Sequence, residues 1–180
     1  SVRSRLAPPF NSLNVLKNSI SLIGMAGSGK SSLGWKIASR LGCEFIDSDR
    51  VMEATYATNL QLILDDKGQD KFKAIEEEVI LSIQFNQTIL ATGGSVVLSR
   101  KAMNHLKKFS EIFYLEVSYK NILKRISDFE TRGFIKDSNQ TFEQAYKERK
   151  AIYSKYADHI VGNNETEDEA INKILSIMNN

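Results

Sequence analysis

The chain has 180 residues, of which 42% are hydrophobic and 26% are charged, and its formal net charge is +2. This length suits one domain with a sizeable core, and the small net charge argues against a nucleic-acid partner. No apolar run approaches the roughly 20 residues that a membrane-spanning helix needs, and the single cysteine, Cys43, excludes an internal disulfide and fits a reducing compartment.

Residues 1–18 differ in composition from the rest, because they hold three basic residues, several serines and asparagines, and no acidic residue. This composition is typical of the remains of an organellar transit peptide and equally of a loosely packed surface extension. The sequence leaves both interpretations open, and we place no function in this segment. We therefore expect a cytoplasmic protein, or one of an organellar stroma if the segment is the remains of a transit peptide.

Residues 24–31 read GMAGSGKS and form a complete G-x-x-x-x-G-K-[ST] motif. The apolar residues 19–23 before it predict a buried strand, and residues 32–41 after it carry apolar positions at helical spacing. In this context the loop cradles phosphates with its backbone N–H groups, whereas an ordinary glycine turn would not need four fixed positions. We predict a nucleoside triphosphate site whose contacts are Gly27, Ser28, Gly29, Lys30, Ser31 and Ser32, with Lys30 on the phosphates and Ser31 on Mg²⁺.

The second predicted strand, residues 44–46, leads into two carboxylates, Asp47 and Asp49. At the carboxyl end of a strand, one of them can hold Mg²⁺ through water while the other accepts the hydroxyl proton of a second substrate. The alternative is that Asp49 only caps a helix that starts at Arg50. Because the pair closely follows a phosphate loop, we favour the functional interpretation.

Apolar strands alternate with helical patterns along the rest of the chain, which predicts a parallel sheet with helices on both faces. Residues 50–67 look helical but lie between two strands, and the segment is longer than a crossover needs. They therefore suggest an inserted helical subdomain that forms a pocket for the second substrate. The remaining strands are predicted at residues 88–91, 112–115 and 159–161, and the remaining helices at 69–84, 100–109, 118–127, 142–157 and 167–178.

Three further features lie outside these elements. The pair Gly93-Gly94 follows the third strand and would let backbone N–H groups approach a ligand, although an ordinary tight turn explains it equally well. Lys73 and Glu76, three residues apart on a helix, would normally form a surface pair of little energetic value. Residues 128–141 show little periodicity and predict a mobile loop, whose Arg132 could cover the phosphates as a lid.

The chain resembles the shikimate kinases, small kinases of aromatic amino-acid biosynthesis, from about residue 19 to its C-terminus. The resemblance rests on an ordered series of motifs, which is more specific than the phosphate loop alone. In this sequence the series comprises GMAGSGKS at 24–31, FIDSD at 45–49, GQDKFKAIE at 68–76, TGG at 92–94, YLEV at 114–117 and RKAIYSKYAD at 149–158.

The resemblance implies a three-layer α/β/α fold whose five-stranded parallel sheet has the order 2-3-1-4-5, formed by residues 19–180 as a single domain. It implies an acceptor-binding region at about residues 49–80 and a lid at about residues 128–141. The implied reaction is phosphorylation of a shikimate hydroxyl by ATP with Mg²⁺, which Ser31 ligates and Asp47 supports. The protein would act as a monomer, with no nucleic-acid or membrane partner.

The resemblance also assigns roles to individual residues. Arg125 falls where the family packs an arginine against adenine, and Arg132 where it places the lid arginine on the phosphates. Catalysis would rest on Lys30, Arg132 and Asp49, of which Asp49 orients the hydroxyl and accepts its proton. The implied acceptor contacts are Asp49, Lys73, Gly93, Gly94 and Arg149, with Lys73 and Arg149 holding a carboxylate.

Departures from the family pattern lie in the acceptor half of the chain. Lys73 stands where the family has an arginine, whose planar fork matches a carboxylate better than an amine does. Ser95 replaces a third glycine, and Gly133-Phe134 replaces a proline and a leucine. These departures leave two alternatives open, namely a related kinase with a different hydroxylated acceptor and a non-catalytic nucleotide-binding relative.

Overall fold

The computed structural model of the protein describes residues 19–126 and 134–179. Within these residues, parallel strands form one sheet in the order β2-β3-β1-β4-β5, where β1 is Ile20–Ile23, β2 is Glu44–Asp47, β3 is Thr88–Ala91, β4 is Glu111–Glu116 and β5 is His159–Gly162. The predicted α/β fold and its strand order are therefore confirmed. The extension at residues 1–18 and the predicted lid arginine, Arg132, lie outside the described residues.

Helices connect the strands as right-handed crossovers require. Among the described residues, every helix is too short or too polar to span a bilayer. The helices are α1 (Lys30–Leu41), α2 (Ser48–Tyr56), α3 (Leu60–Ser82), α4 (Arg100–Phe109), α5 (Tyr119–Arg125), α6 (Phe142–Tyr156) and α7 (Glu167–Met178), with a short 3₁₀ helix at Val96–Leu98.

The three central strands, β1, β3 and β4, are buried on both faces, as their apolar sequences predicted. Alternate residues of β4 show this division, because successive side chains of a strand point to opposite faces. Phe113 and Leu115 pack with apolar residues of α1 and α7, whereas Ile112 and Tyr114 pack with apolar residues of α3, α4 and α6. These two clusters account for the three layers.

The segment between β2 and β3 forms the predicted helical insert, with two helices in place of a simple crossover. The helix α3 is interrupted at Gly68, whose φ of 76° and ψ of 165° are not helical. A separate apolar cluster holds the insert together. Its buried members are Met52, Leu60, Ile63, Phe72, Val79 and Ile135.

The start of α2 corrects one sequence alternative, in which Asp49 capped a helix beginning at Arg50. The helix begins at Ser48, and its cap is Asp47, whose Oδ1 accepts the N–H of Asp49 at 3.0 Å and that of Arg50 at 3.4 Å. A carboxylate at this position satisfies N–H groups that have no partner within the helix. Asp49 therefore does not cap α2, which leaves its carboxyl group for another role.

Candidate active site

A cavity of about 710 Å³ lies at the carboxyl edge of the sheet, where parallel α/β proteins bind their ligands. Its walls come from the segments that follow β1, β2 and β3 and from helices α5, α6 and α7. The predicted site residues that the cavity brings together are Gly27, Gly29, Lys30, Ser31, Ser32, Asp47, Asp49, Gly94, Arg125 and Arg149.

The phosphate loop depends on two glycines with left-handed backbone angles. Gly27 has a φ of 78° and Gly29 has a φ of 94°, values that residues with a Cβ rarely adopt. A Cβ on Gly27 would lie 2.6 Å from Ile126 Cγ1, and one on Gly29 would lie 2.8 Å from Asn163 Nδ2. Space as well as conformation therefore requires glycine at both positions. The loop residue between them, Ser28, is fully buried.

The Lys30 amine is enclosed by the phosphate loop. Lys30 is 7% exposed, and its Nζ donates to the carbonyl oxygens of Gly24 at 2.7 Å and Met25 at 2.8 Å. Its neighbour Ser31 lines the same cavity in the first turn of α1. The lysine charge, the Ser31 hydroxyl and the helix N-terminus thus converge where an anion would be favoured.

The segment after β5 and the start of α7 are hydrogen-bonded to the phosphate loop, to α1 and to α5. Arg125 donates to the Asn163 carbonyl at 2.7 Å, and Asn163 Nδ2 donates to the Ser28 carbonyl at 2.9 Å. The Ser32 hydroxyl donates to Glu167 Oε2 at 3.1 Å. Because Arg125, Ser32 and Glu167 also line the cavity, this side can receive the part of a nucleotide that lies beyond its phosphates.

Two carboxyl groups line the cavity, the half-buried Asp49 and the buried Glu76. Burial raises the pKa of Asp49 to about 6, the Asp47 carboxylate adds to the rise, and Lys30 opposes it. Burial raises the pKa of Glu76 to about 8, although a hydrogen bond from the Ser95 hydroxyl opposes this rise. An Asp49 carboxyl with this pKa is matched to accepting a proton near neutral pH.

The two glycines of the TGG motif have different surroundings. A Cβ on Gly93 would lie 2.5 Å from Glu76 Oε1 and 2.7 Å from Asp49 Oδ1, so only glycine lets both carboxyl groups approach the backbone here. The Gly93 N–H donates to Ser48 Oγ at 3.0 Å. Gly94 lines the cavity, and its carbonyl accepts the Tyr153 hydroxyl at 2.6 Å.

Glu76 is the cavity residue that sequence reasoning missed. The expected surface pair of Glu76 with Lys73 is wrong, because Glu76 is 4% exposed and its partner is Ser95. Glu76 ends the GQDKFKAIE motif at residues 68–76, and this position could have marked it as a site residue. Its spacing of three from Lys73 instead suggested a surface pair. Spacing shows which residues share a helix face, but it does not show which face the tertiary structure buries.

We expect the stability of the protein to fall as pH rises through the titration of Glu76. A pKa raised from 4.5 to about 8 means that the folded state holds a proton that the unfolded state releases. The stabilisation is complete below pH 4.5 and is lost as pH rises towards 8. We expect Glu76→Gln to remove at least about 1.4 kcal/mol of this pH dependence, the value of one pKa unit.

The measurement is the free energy of urea unfolding at a series of pH values for the wild type and Glu76→Gln. Glu77→Gln is the matched control, because this neighbouring carboxylate accepts from Ser99 Oγ at 2.6 Å and its pKa is lowered, which gives the opposite sign. Parallel pH profiles for the wild type and Glu76→Gln would contradict the buried, raised-pKa description of Glu76.

Arg149 supplies a buried positive charge to the cavity. Its side chain extends from α6 and is 4% exposed. It donates to the Ile135 carbonyl, and its guanidinium carbon lies 4.4 Å from the centroid of the Phe134 ring. Arg149, Ile135 and Phe134 all line the cavity, as Asp49 does.

Lys73, the other predicted acceptor cation, lines a separate cavity of about 280 Å³ together with Glu76, Glu77 and Ser95. Its Nζ lies 3.3 Å from Asp70 Oδ1, and its side chain is 38% exposed. Glu76 and Ser95 border both cavities and so lie between Lys73 and the larger one. The role of Lys73 in the acceptor clamp therefore stays a prediction that substitution can test.

We expect Lys73→Ala and Lys73→Arg to change the KM for a carboxylated acceptor by less than about fivefold, the upper range of an exposed ion pair. Arg149→Lys is the matched comparison, and it should raise the same KM by about tenfold or more because a buried charged hydrogen-bond donor is altered. The measurement is the KM of each variant for the acceptor, taken from initial rates at a series of acceptor concentrations. A clear fall in KM for Lys73→Arg would show that the longer fork reaches the acceptor.

The residues predicted to hold Mg²⁺ fit that ion by the chemistry of their donors. Ser31 and Asp47 both line the cavity, and Mg²⁺ takes oxygen ligands while retaining several waters, so few protein ligands are needed. Both capping bonds of Asp47 go to Oδ1. Among the described residues there is no cluster of three or more histidine, cysteine, aspartate or glutamate side chains that could bind a metal without such waters.

Comparisons with known proteins agree with this geometry. A family model for shikimate kinase matches residues 26–179. The shikimate kinase of Haemophilus influenzae (strain PittEE) is 31% identical over 169 residues, which cover 91% of this chain and 94% of that protein. The shikimate kinase of Francisella tularensis subsp. novicida (strain U112) is 34% identical over 164 residues, which cover 88% of this chain and 93% of that protein.

A solved structure is also similar over nearly the whole length. The shikimate kinase from Acinetobacter baumannii, in complex with shikimate, superimposes with a TM-score of 0.83 and 26% sequence identity. The match covers 91% of this chain and 93% of that one. The chain therefore belongs to the shikimate kinase family and is an ATP-dependent phosphotransferase.

Proposed function

We propose that the protein phosphorylates a hydroxyl group of shikimate with ATP, giving shikimate 3-phosphate and ADP. The observation that carries this proposal is one cavity that holds Lys30 of the phosphate loop, the carboxyl group of Asp49 and the guanidinium of Arg149. A molecule with hydroxyl groups at one end and a carboxylate at the other matches this distribution of charge. The family membership supports the same acceptor.

The proposed acceptor-binding region is residues 49–80. Its support is that Asp49, Leu60, Phe72 and Glu76 all line the cavity. In this proposal Asp49 orients the reacting hydroxyl and takes its proton, because its raised pKa suits proton transfer. Arg149 binds the acceptor carboxylate, and the backbone of Gly93 and Gly94 forms the adjoining wall.

The nucleotide would bind at the phosphate loop, with its base towards Arg125. Lys30 would neutralise charge that develops on the transferred phosphoryl group. Mg²⁺, held by Ser31 with support from Asp47, would screen the phosphate charge when it is bound. A lid at residues 128–141 with Arg132 on the phosphates remains part of the proposal, although Arg132 lies outside the described residues.

ADP release from ATP and Mg²⁺ tests the proposal, with shikimate as acceptor and quinate, gluconate and homoserine in parallel reactions. We expect turnover with shikimate and only background release with the others or with no acceptor. Mass spectrometry of the product should show one added phosphoryl group on shikimate. Omission of Mg²⁺ should abolish the reaction.

A related kinase with another hydroxylated acceptor is the second candidate, and the separate location of Lys73 favours it. A site with one buried guanidinium in place of two cations can accept a wider range of acids. Turnover with another acceptor but not with shikimate would support this candidate. Tight ATP binding with no turnover on any acceptor would instead indicate a non-catalytic relative.

We also propose, on the family resemblance, that the protein acts as a monomer in the cytoplasm or in an organellar stroma. Residues 1–18 are given no catalytic part in this proposal. Light scattering after size-exclusion chromatography would show whether the particle has the mass of a single 20.3 kDa chain. A dimer mass would contradict the monomer.

A further inference from the structure

The orientation of the Arg149 guanidinium depends both on its hydrogen bonds and on what covers its faces. A guanidinium carries five N–H donors in a plane, so the orientation of that plane decides which donors face a ligand. Arg149 donates to the Ile135 carbonyl, which fixes one edge of the group. The Arg149 side chain also has a hydrogen-bond contact with Tyr153. Hydrogen bonds of a guanidinium are made in its plane, so they leave the two faces of the group to be covered by other side chains.

The Phe134 ring covers one face of this guanidinium. The centroid of the ring lies 4.4 Å from the guanidinium carbon of Arg149, well within the range of an attractive cation–π contact. Such a contact is strongest where water is excluded, and Arg149 is 4% exposed. The ring therefore opposes rotation of the guanidinium plane.

The same helix that carries Arg149 also holds the Phe134 ring. Phe142, the first residue of α6, packs edge-on against Phe134 with ring centroids 5.0 Å apart. Phe142 and Arg149 are seven residues apart and so lie on one face of α6, two turns from each other. Phe134 contacts both residues, which links its position to that of Arg149.

We propose that Phe134 is a positioning residue, which stacks on Arg149 and holds its free donors towards the anionic group of the acceptor. This inference rests on the proposed function for the nature of the acceptor, but the stacking geometry stands independently of it. The resemblance to the family indicates leucine at this position, and leucine offers no π face to a cation. Phe134 would compensate for Lys73, whose amine lies in the smaller cavity.

Kinetics of Phe134→Leu and Phe134→Tyr test the proposal. We expect Phe134→Leu to raise the KM for shikimate by about five- to tenfold and to leave the KM for ATP within about twofold of the wild type. Phe134→Tyr keeps the ring face, so its KM for shikimate should stay close to that of the wild type. Phe85→Leu is the matched control, because Phe85 stacks on Phe109 away from the cavity and should change neither KM.

An unchanged shikimate KM in Phe134→Leu would overturn the proposal, as would an equal rise in both KM values. If the wild type does not turn over shikimate, the proposed function fails, and a double-mutant cycle then decides the inference. Urea unfolding of Phe134→Leu, Arg149→Met and the double variant should show a coupling of about fivefold in the unfolding equilibrium constant. Purely additive effects would overturn it.

Discussion

Replacing Lys30 with alanine is expected to lower kcat by about a hundredfold or more. The Lys30 amine lies 2.7 Å from the Gly24 carbonyl and 2.8 Å from the Met25 carbonyl, inside the phosphate loop. Exclusion of water strengthens the interaction of this charge with the phosphoryl oxygens during transfer. The measurement is the rate of ADP release at saturating ATP and shikimate, with ATP affinity measured separately.

Two further variants separate this effect from a loss of folding. Lys30→Met keeps the aliphatic stem of the buried side chain and should show the same loss of kcat. Lys101→Ala is the control, because Lys101 is an exposed lysine that pairs with Glu77 at 3.3 Å. Folded Lys30→Ala and Lys30→Met proteins that retain nearly full kcat would refute the assignment of Lys30 to phosphoryl transfer.

Asp49→Asn should lower kcat by about 10²- to 10⁴-fold, the range for loss of a general base. Asparagine occupies nearly the same volume but cannot take the hydroxyl proton. ATP binding should be retained, because the phosphate loop is unchanged. Single-turnover rates and ATP titrations measure the two effects independently.

The pH dependence provides a second test of Asp49. Since burial raises the pKa of this carboxyl to about 6, kcat/KM should fall as pH drops through about 6, where the base becomes protonated. Asp49→Asn should lose this inflexion. Asp66→Asn is the control, because Asp66 is an exposed carboxylate that pairs with Lys67 at 2.7 Å. A wild-type inflexion that persists in Asp49→Asn would assign it to another group.

The phosphate loop is the part of the site that residues close together in sequence specify. The loop motif at residues 24–31 lies between a strand and a helix, and this local arrangement was predictable from sequence. The sheet order was predictable through the family resemblance and is confirmed. Asp49 was predictable as a candidate, but its release from capping depended on Asp47 taking that role.

The part of the cavity formed by Glu76, Ser95, Ile135 and Arg149 could not be predicted in the same way. Glu76 and its partner Ser95 are 19 residues apart in sequence and come from different elements. The same is true of Arg149 and the Ile135 carbonyl, which are 14 residues apart. Whether Lys73 or Glu76 faces the large cavity depends on how α3 packs, since both residues lie on the same helix.

The sequence by itself determined the fold class, the nucleotide loop and the carboxylates after β2, because each is encoded in the order and spacing of neighbouring residues. The tertiary structure alone decided that Glu76 is buried, that Lys73 lines the smaller cavity, and that Phe134 stacks on Arg149. The physical reason is that burial and stacking depend on contacts between segments distant in the chain, and helical or strand periodicity contains no information about those contacts.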